Sequence, residues 1–331
     1  MNQSWILNKR PSGYPQISDF KLISSDVPKL QEGEVLVESH YLSLDPYMRG
    51  RMNDTKSYAP SLKLGDIMTG EVVGKVISTK SRRINEGDFV TAHIGWQKYG
   101  KIDASSVRKI DPSLGPISTS LGVLGMPGLT AYFGFLDVCS PMPGDTVVVS
   151  AASGAVGGIV GQIAKIMGCK VIGIAGSDQK TSYCVSELNF DHVINYKTEN
   201  VLNKINEYAP GGVDVYFDNV GGDISDSVMS HLSVGARIAI CGQISLYNLE
   251  EPAMGARIGS TLLINQAVMR GFLVFQFKSR YQEGLDKLSE WVLDGKIKYK
   301  EDIVKGIDKV PDTFIGMMQG KNFGKLLVTF I

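Results

Sequence analysis

The chain has 331 residues, 43% of them hydrophobic and 21% charged, with 34 lysines and arginines against 34 aspartates and glutamates. That length accommodates two domains and a large core, and the balance is that of an ordered globular protein, which sets disorder aside. The even charge and the lack of a basic run argue against a nucleic-acid binder, so the expected partner is a small molecule.

From Glu34 onward, short runs with β-branched residues (EVLVESHYLSL, GEVVGKVIS, GDFVTAHIGW, SSVRKI) lie between Gly, Pro, Asn and Asp. No useful helical period precedes about Ser118, so the first third reads as a β-rich module. At Gly125, Met126, Pro127 and Gly128 the composition shifts, and residues 129–138 read as a helix leading into a turn at 141–144. The domain boundary is expected here, with 1–124 as the β-rich domain, 125–301 as a nucleotide domain and 302–331 returning to the first.

Residues 146–149 are β-branched, as a buried strand should be, and Val156, Ile159, Val160, Ile163 and Met167 recur at helical spacing. Between them lies Ala152-x-Gly154-x-x-Gly157, a phosphate-binding fingerprint with alanine for its first glycine. Taken alone, this turn suits a pyrophosphate or simply close packing of helix on sheet. Beyond it, strands at 170–175, 192–195, 213–219 and 236–241 alternate with helices at 180–188, 199–208 and 224–232. Such alternation predicts a doubly wound parallel sheet and favours the nucleotide reading. A less regular segment at 243–266 precedes a strand at 271–275 and a helix at 281–293. The tail offers strands at 303–307 and 325–330 around a helix at 312–318.

A site that prefers NAD ends its second strand in Asp or Glu, which binds the ribose 2′-hydroxyl. Here that strand reads KVIGIAGS, with Gly176 and Ser177 at the position, Asp178 next and Lys180 in the first turn of the following helix. A 2′-phosphate needs donors and positive charge, so NADPH is favoured. The alternative makes Lys180 a solvated helix lysine and Asp178 an N-terminal helix acid. Cys139, Cys169, Cys184 and Cys241 lack CxxC spacing and read as reduced core thiols. MNQSWILNKRP has too short an apolar run for a secretory signal, and the longest apolar segment, 121–136, is broken by glycines and a proline. A cytoplasmic protein with no membrane span is expected.

A β domain followed by a nucleotide domain resembles the medium-chain dehydrogenase/reductase superfamily, and ordered motifs narrow the match. LSLDPYMRGRM at 42–52, GMPGLTAY at 125–132, AASGAVG at 151–157, GSDQK at 176–180, FDNVGG at 217–222, CGQISLYN at 241–248 and NFGK at 322–325 resemble the zinc-free alkenal and oxoprostaglandin reductase branch. That branch includes leukotriene hydroxydehydrogenases, plant alkenal double-bond reductases and bacterial curcumin reductases. The resemblance implies a Rossmann-type doubly wound parallel sheet plus a GroES-like β-rich domain, NADPH as cofactor and a homodimer. Alcohol dehydrogenases of the same superfamily draw zinc ligands from an early cysteine and a Gly-His-Glu histidine. This chain has no cysteine before Cys139 and reads Thr69-Gly70-Glu71 at the comparable site, while His40 and His93 read as ordinary strand residues, so no metal is expected.

Without a Lewis acid on a carbonyl, the expected chemistry shifts to a conjugated C=C bond. Hydride passing from nicotinamide C4 to the β-carbon of an enal or enone builds negative charge on the carbonyl oxygen, which requires a hydrogen-bond donor. The resemblance puts a catalytic-site tyrosine at ISLYN, hence Tyr247, and Tyr47 of DPYMRG is the second choice as a substrate-pocket residue. By the same motif matches, Gly154, Ala155, Val156 and Gly157 fall to the pyrophosphate turn, Ser177 and Lys180 to the 2′-phosphate, and Tyr196 to the adenine-ribose side. Asn219 and Cys241 fall to the nicotinamide-ribose side, and Phe272, Val274 and Asn322 to the nicotinamide pocket. Tyr196 equally reads as a capping aromatic, and Cys241 as a small residue that lets backbone approach. Two further readings stand beside enal/enone reduction: an NADPH:quinone reductase, and a non-catalytic NADPH-binding sensor or structural protein.

Overall fold

The computed structural model describes residues 1–331, the side chain of Leu114 excepted. Two compact units make up the chain: Met1–Gly122 with Glu301–Asn322 and Leu326–Ile331, and Val123–Lys300 with Phe323–Lys325. In chain order the elements are β1 (Asn2–Leu7), β2 (Phe20–Ser25), β3 (Glu34–Ser43), α1 (Tyr47–Arg51), β4 (Val72–Thr79), β5 (Phe89–Ala92), β6 (Tyr99–Asp103) and β7 (Arg108–Ile110). There follow α2 (Met126–Phe133), β8 (Thr146–Ser150), α3 (Gly157–Ile166), β9 (Lys170–Ala175), α4 (Asp178–Ser186), β10 (His192–Asn195), α5 (Val201–Tyr208) and β11 (Val213–Asp218). The last are α6 (Gly222–Met229), β12 (Leu232–Ile240), α7 (Gly259–Ile264), β13 (Val268–Gly271), α8 (Tyr281–Leu293), β14 (Glu301–Lys305), α9 (Val310–Met318) and β15 (Lys325–Thr329).

The first unit holds the β1–β2 hairpin and a sheet ordered β14-β15-β3-β4-β5-β7, with β6 pairing the start of β3. β3 is its spine. Residues 34–38 pair β6, while residues 41–43 pair β15 from the chain's far end. The hairpin, β6 and the short α1 carry too few residues, or too little alternation, to stand out in the sequence.

The second unit is a parallel sheet ordered β10-β9-β8-β11-β12-β13. Counted within the unit this is the 3-2-1-4-5-6 order of a dinucleotide fold, with its switch point between β8 and β11. Strand β8 is buried on both faces: Val147 and Val149 join one core with Ile159, Val160 and Ile163 of α3, and Val148 joins another with Ile172, Ile194 and Ile205. That is why its sequence is a continuous apolar run rather than an alternating one.

Two expected elements are redrawn. The helix expected at 129–138 is α2 only as far as Phe133, and Gly134–Cys139 widens into a π-helical turn that buries Phe135 and Cys139. The strand expected at 271–275 lies earlier, where Val268–Gly271 pairs with β12, and Val274–Arg280 forms helical turns instead. Phe272 and Val274 leave the sheet to fill the core, 6% and 8% exposed. Phe272 packs on Phe217 with ring centroids 6.1 Å apart. An apolar run marks burial, which a strand and a core-filling turn share.

Candidate active site

After Ser150 the chain turns through Ala151 at φ 52°, a left-handed conformation that costs an L-residue. This turn brings the Ala151 carbonyl against the start of α3. A Cβ on Gly157 would lie 2.4 Å from that oxygen, and one on Gly154 3.1 Å from it. Only glycine fits at 157. The Gly154 N–H donates to the same carbonyl at 2.9 Å, and α3 begins with no side-chain cap. Its first turn therefore keeps positive partial charge and N–H donors that an anion can engage. Ala152, which replaces the first glycine of the fingerprint, is fully buried. Its methyl fills room left by Gly173 of β9, whose own Cβ would come within 2.8 Å of it.

At the end of β9, a Cβ on Gly176 would lie 2.9 Å from the Tyr196 hydroxyl and 2.8 Å from its ring. Tyr196 thus lies across Gly176 with 44% of its surface exposed. Ser177 caps α4, its hydroxyl accepting from the Lys180 N–H at 3.3 Å. Asp178 accepts from Asn195 Nδ2 at 2.7 Å, so the acid nearest the position that would select NAD is engaged within the fold. Ser177, Lys180 and Tyr196 are gathered on one patch at the carboxyl ends of β9 and β10.

At the ends of β11 and β12 lie Asn219, Cys241 and Tyr247. Asn219 is held by the final residue of β8, its N–H donating to Ser150 Oγ and its Nδ2 to Ser150 O, each at 2.8 Å. Burial, reinforced by Asp218, pushes the Cys241 thiol up to about 12, so it stays neutral. Tyr247 follows a 3-10 turn, Ile244–Leu246, and its hydroxyl oxygen accepts from the Gln243 N–H at 3.3 Å. Burial raises this phenol above its ordinary value while the Gln243 N–H works the other way, and the group remains a protonated donor at neutral pH. The side chains of Phe272 and Val274 face the core, so only their backbone suits a ligand contact. Sequence reasoning passed over Ser150, Asp218 and Gln243, although an aspartate inside the buried run YFDN was a signal.

In the other unit, Tyr47 opens α1 and is hydrogen-bonded to Thr69. Burial raises its phenol, helped by Asp45 and Glu71, so it too stays protonated. Burial likewise raises Glu71, opposed by His93, whose Nε2 lies 3.9 Å from Oε1, and by Arg108. The Ser43 hydroxyl donates to Asp45. Asn322 is half-buried between α9 and β15.

Residues 3–110 match the family described as N-terminal domain of oxidoreductase, and residues 155–290 the family described as zinc-binding dehydrogenase. The residues do not fit a zinc ion: among those described, no three His, Cys, Asp or Glu side chains are gathered as a metal requires, and Glu71 faces an arginine instead. Prostaglandin reductase 1 of Rattus norvegicus is 44% identical, over 98% of this chain and 98% of its own. The 2-alkenal reductase (NADP(+)-dependent) of Nicotiana tabacum is 41% identical, over 99% of this chain and 97% of its own. The crystal structure of CurA from Vibrio vulnificus in complex with NADPH superposes with a TM-score of 0.95 at 43% identity, covering 99% of each chain. With the ordered motifs, the parallel sheet and the uncapped glycine turn already in place, these full-length likenesses make the chain a member of the zinc-independent reductase branch of the medium-chain dehydrogenase/reductase family.

Proposed function

We propose that this protein reduces the C=C bond of α,β-unsaturated aldehydes and ketones with NADPH. The observation that carries this reading is Tyr247, a protonated phenol at the carboxyl end of the nucleotide sheet. Its oxygen takes the Gln243 N–H, which leaves its own hydrogen for a substrate. Bound NADPH supplies a hydride from its nicotinamide. The Tyr247 hydroxyl donates a hydrogen bond to the carbonyl oxygen of the substrate as charge accumulates there, and the resulting enolate gains a proton at its α-carbon from water to become the saturated product. The N–H groups of Ala155, Val156 and Gly157 hold the pyrophosphate beside Gly154, whose own N–H is taken by the Ala151 carbonyl, while Ser177 and Lys180 hold the 2′-phosphate and Tyr196 the adenine side. Asn219 and Cys241 line the nicotinamide ribose and backbone at Phe272 and Val274 meets the nicotinamide; for Asn322 and Tyr47 the motif resemblance alone carries their nicotinamide and substrate roles.

Relatives named for 2-alkenal and prostaglandin reduction, matched over nearly the whole chain, support the substrate class. NADPH mixed with a conjugated enone and the protein is expected to lose its nicotinamide absorbance as the saturated ketone forms. An allylic alcohol as product overturns the proposal. We further infer a homodimer formed along the outer edge of β13. Among the described residues no helix is long and apolar enough to cross a membrane, and four unpaired cysteines suit a reducing compartment, the cytoplasm.

A further inference from the structure

Asp218 ends β11 with no exposed surface. A carboxylate so placed is unfavourable unless its oxygens are fully engaged. Oδ1 accepts from the Tyr216 hydroxyl at 2.8 Å, from the Val220 and Gly221 N–H groups at 2.9 Å each and from the Ser150 hydroxyl at 3.2 Å. Oδ2 accepts from Gln243 Nε2 at 3.0 Å. Gly221, at φ 74°, both aims its N–H at the carboxylate and clears the Gln243 side chain, since a Cβ there would lie 2.3 Å from Gln243 Oε1. Gln243 is held at a second point, Nε2 donating to Gly242 O at 2.9 Å. Its backbone N–H is the group that meets the Tyr247 oxygen.

We propose that Asp218 is a positioning residue for hydride transfer, which through Gln243 fixes the 242–247 segment and thereby sets the direction of the Tyr247 O–H. This rests on the donor role given to Tyr247 above. The chain of contacts explains why the position holds an acid. Gln243 and four other donors approach opposite oxygens of one side chain, and only a carboxylate accepts on both. An amide must turn its NH₂ toward one side. Four donors against one decide which, so Asn at 218 keeps its oxygen toward Ser150, Tyr216 and the 220–221 backbone and presents NH₂ to Gln243. The link to Tyr247 is the part that breaks, while Asn219 keeps its hold on Ser150.

The test uses the full-length protein, with single-turnover hydride transfer from NADPH and from its C4-deuterated form to a conjugated enone, alongside NADPH affinity by fluorescence. Asp218→Asn is expected to slow hydride transfer roughly 10- to 100-fold, with a full isotope effect, while the NADPH dissociation constant changes less than about threefold. Gln243→Met, which spares every donor to Oδ1, is expected to do the same and decides the matter if Asp218→Asn does not fold. In a Tyr247→Phe background either change should add less than about threefold. Hydride transfer within about twofold of the parent in these variants, with Tyr247→Phe slow, overturns the inference and leaves the enone-reductase reading standing. So does a full multiplicative loss in the Tyr247→Phe background. An unaltered rate in Tyr247→Phe alone overturns both the role of the hydroxyl and this inference.

Discussion

Lys180 sits in the first turn of α4 beside the Ser177 cap, and its acidic neighbour Asp178 is committed to Asn195. A 2′-phosphate here meets a cation and a helix N-terminus, whereas the 2′-hydroxyl of NADH gains nothing from the charge. Lys180→Ala is expected to weaken NADPH about 10- to 100-fold, the worth of one charge-assisted hydrogen bond, and to leave NADH within about threefold. Titration of both cofactors checks it, and equal losses remove Lys180 from the role. Steric reasoning separates the two glycines of the turn. A Cβ at 157 would sit 2.4 Å from a backbone oxygen that has nowhere to go, while at 154 the gap is 3.1 Å. Gly157→Ala should therefore cost NADPH affinity at least about tenfold more than Gly154→Ala; similar losses would mean that the close approach at 157 does not shape the site. The turn's glycines and Lys180 were conspicuous in the sequence by residue type and spacing. The buried bonds of Asp218 were not, because Ser150 at the end of β8 and Gln243 beyond β12 meet it only once those strands have been laid on either side of β11.

At the level of elements, the alternation of β-branched runs and helical periods made the parallel sheet legible, since each strand from β8 to β12 is short, apolar and bounded by turn formers. What remained hidden depends on contacts between elements. The departure of α2 into a wide turn and the placing of Phe272 in the core are decided by neighbours distant in sequence. Ala152 and Gly173 illustrate such a dependence at the heart of the nucleotide turn. The missing fingerprint glycine looked like a defect, yet the space its methyl needs is provided by the next strand. Gly173→Ala would put a Cβ 2.8 Å from Ala152 Cβ and 2.9 Å from Phe190 Cδ2. That overpacking should destabilise the fold by about 1–3 kcal/mol. Adding Ala152→Gly is expected to restore part of the loss, because the contact with Phe190 remains. Denaturant unfolding of the two variants checks this, and a double variant no more stable than Gly173→Ala would refute the compensation.

For the whole molecule, the sheet of the nucleotide unit raises the question of its last edge. β13 pairs with β12 on one side only, and an unprotected edge is a template for another strand. Val268 on that edge is 61% exposed. Beside it, Leu263 and Ile264 of α7 are 79% and 73% exposed, and Val234 near the start of β12, itself 70% exposed, precedes Gly235, whose N–H donates to the Asn265 carbonyl. Natural edges are usually blunted by charge or proline; β13 carries one exposed charge, Arg270, but large apolar side chains gather around it, which is the composition of a covered surface. Two copies meeting edge to edge about a twofold axis would pair β13 with β13 and bury these side chains against their own counterparts, an isologous contact that uses up both β13 edges and stops at two copies. Sedimentation of the native protein is expected to give a dimer. Val268→Lys combined with Ile264→Lys should give a monomer that still binds NADPH, because the changes lie outside every position assigned to the cofactor. A native monomer, or a dimer indifferent to both lysines, would place the partner surface elsewhere.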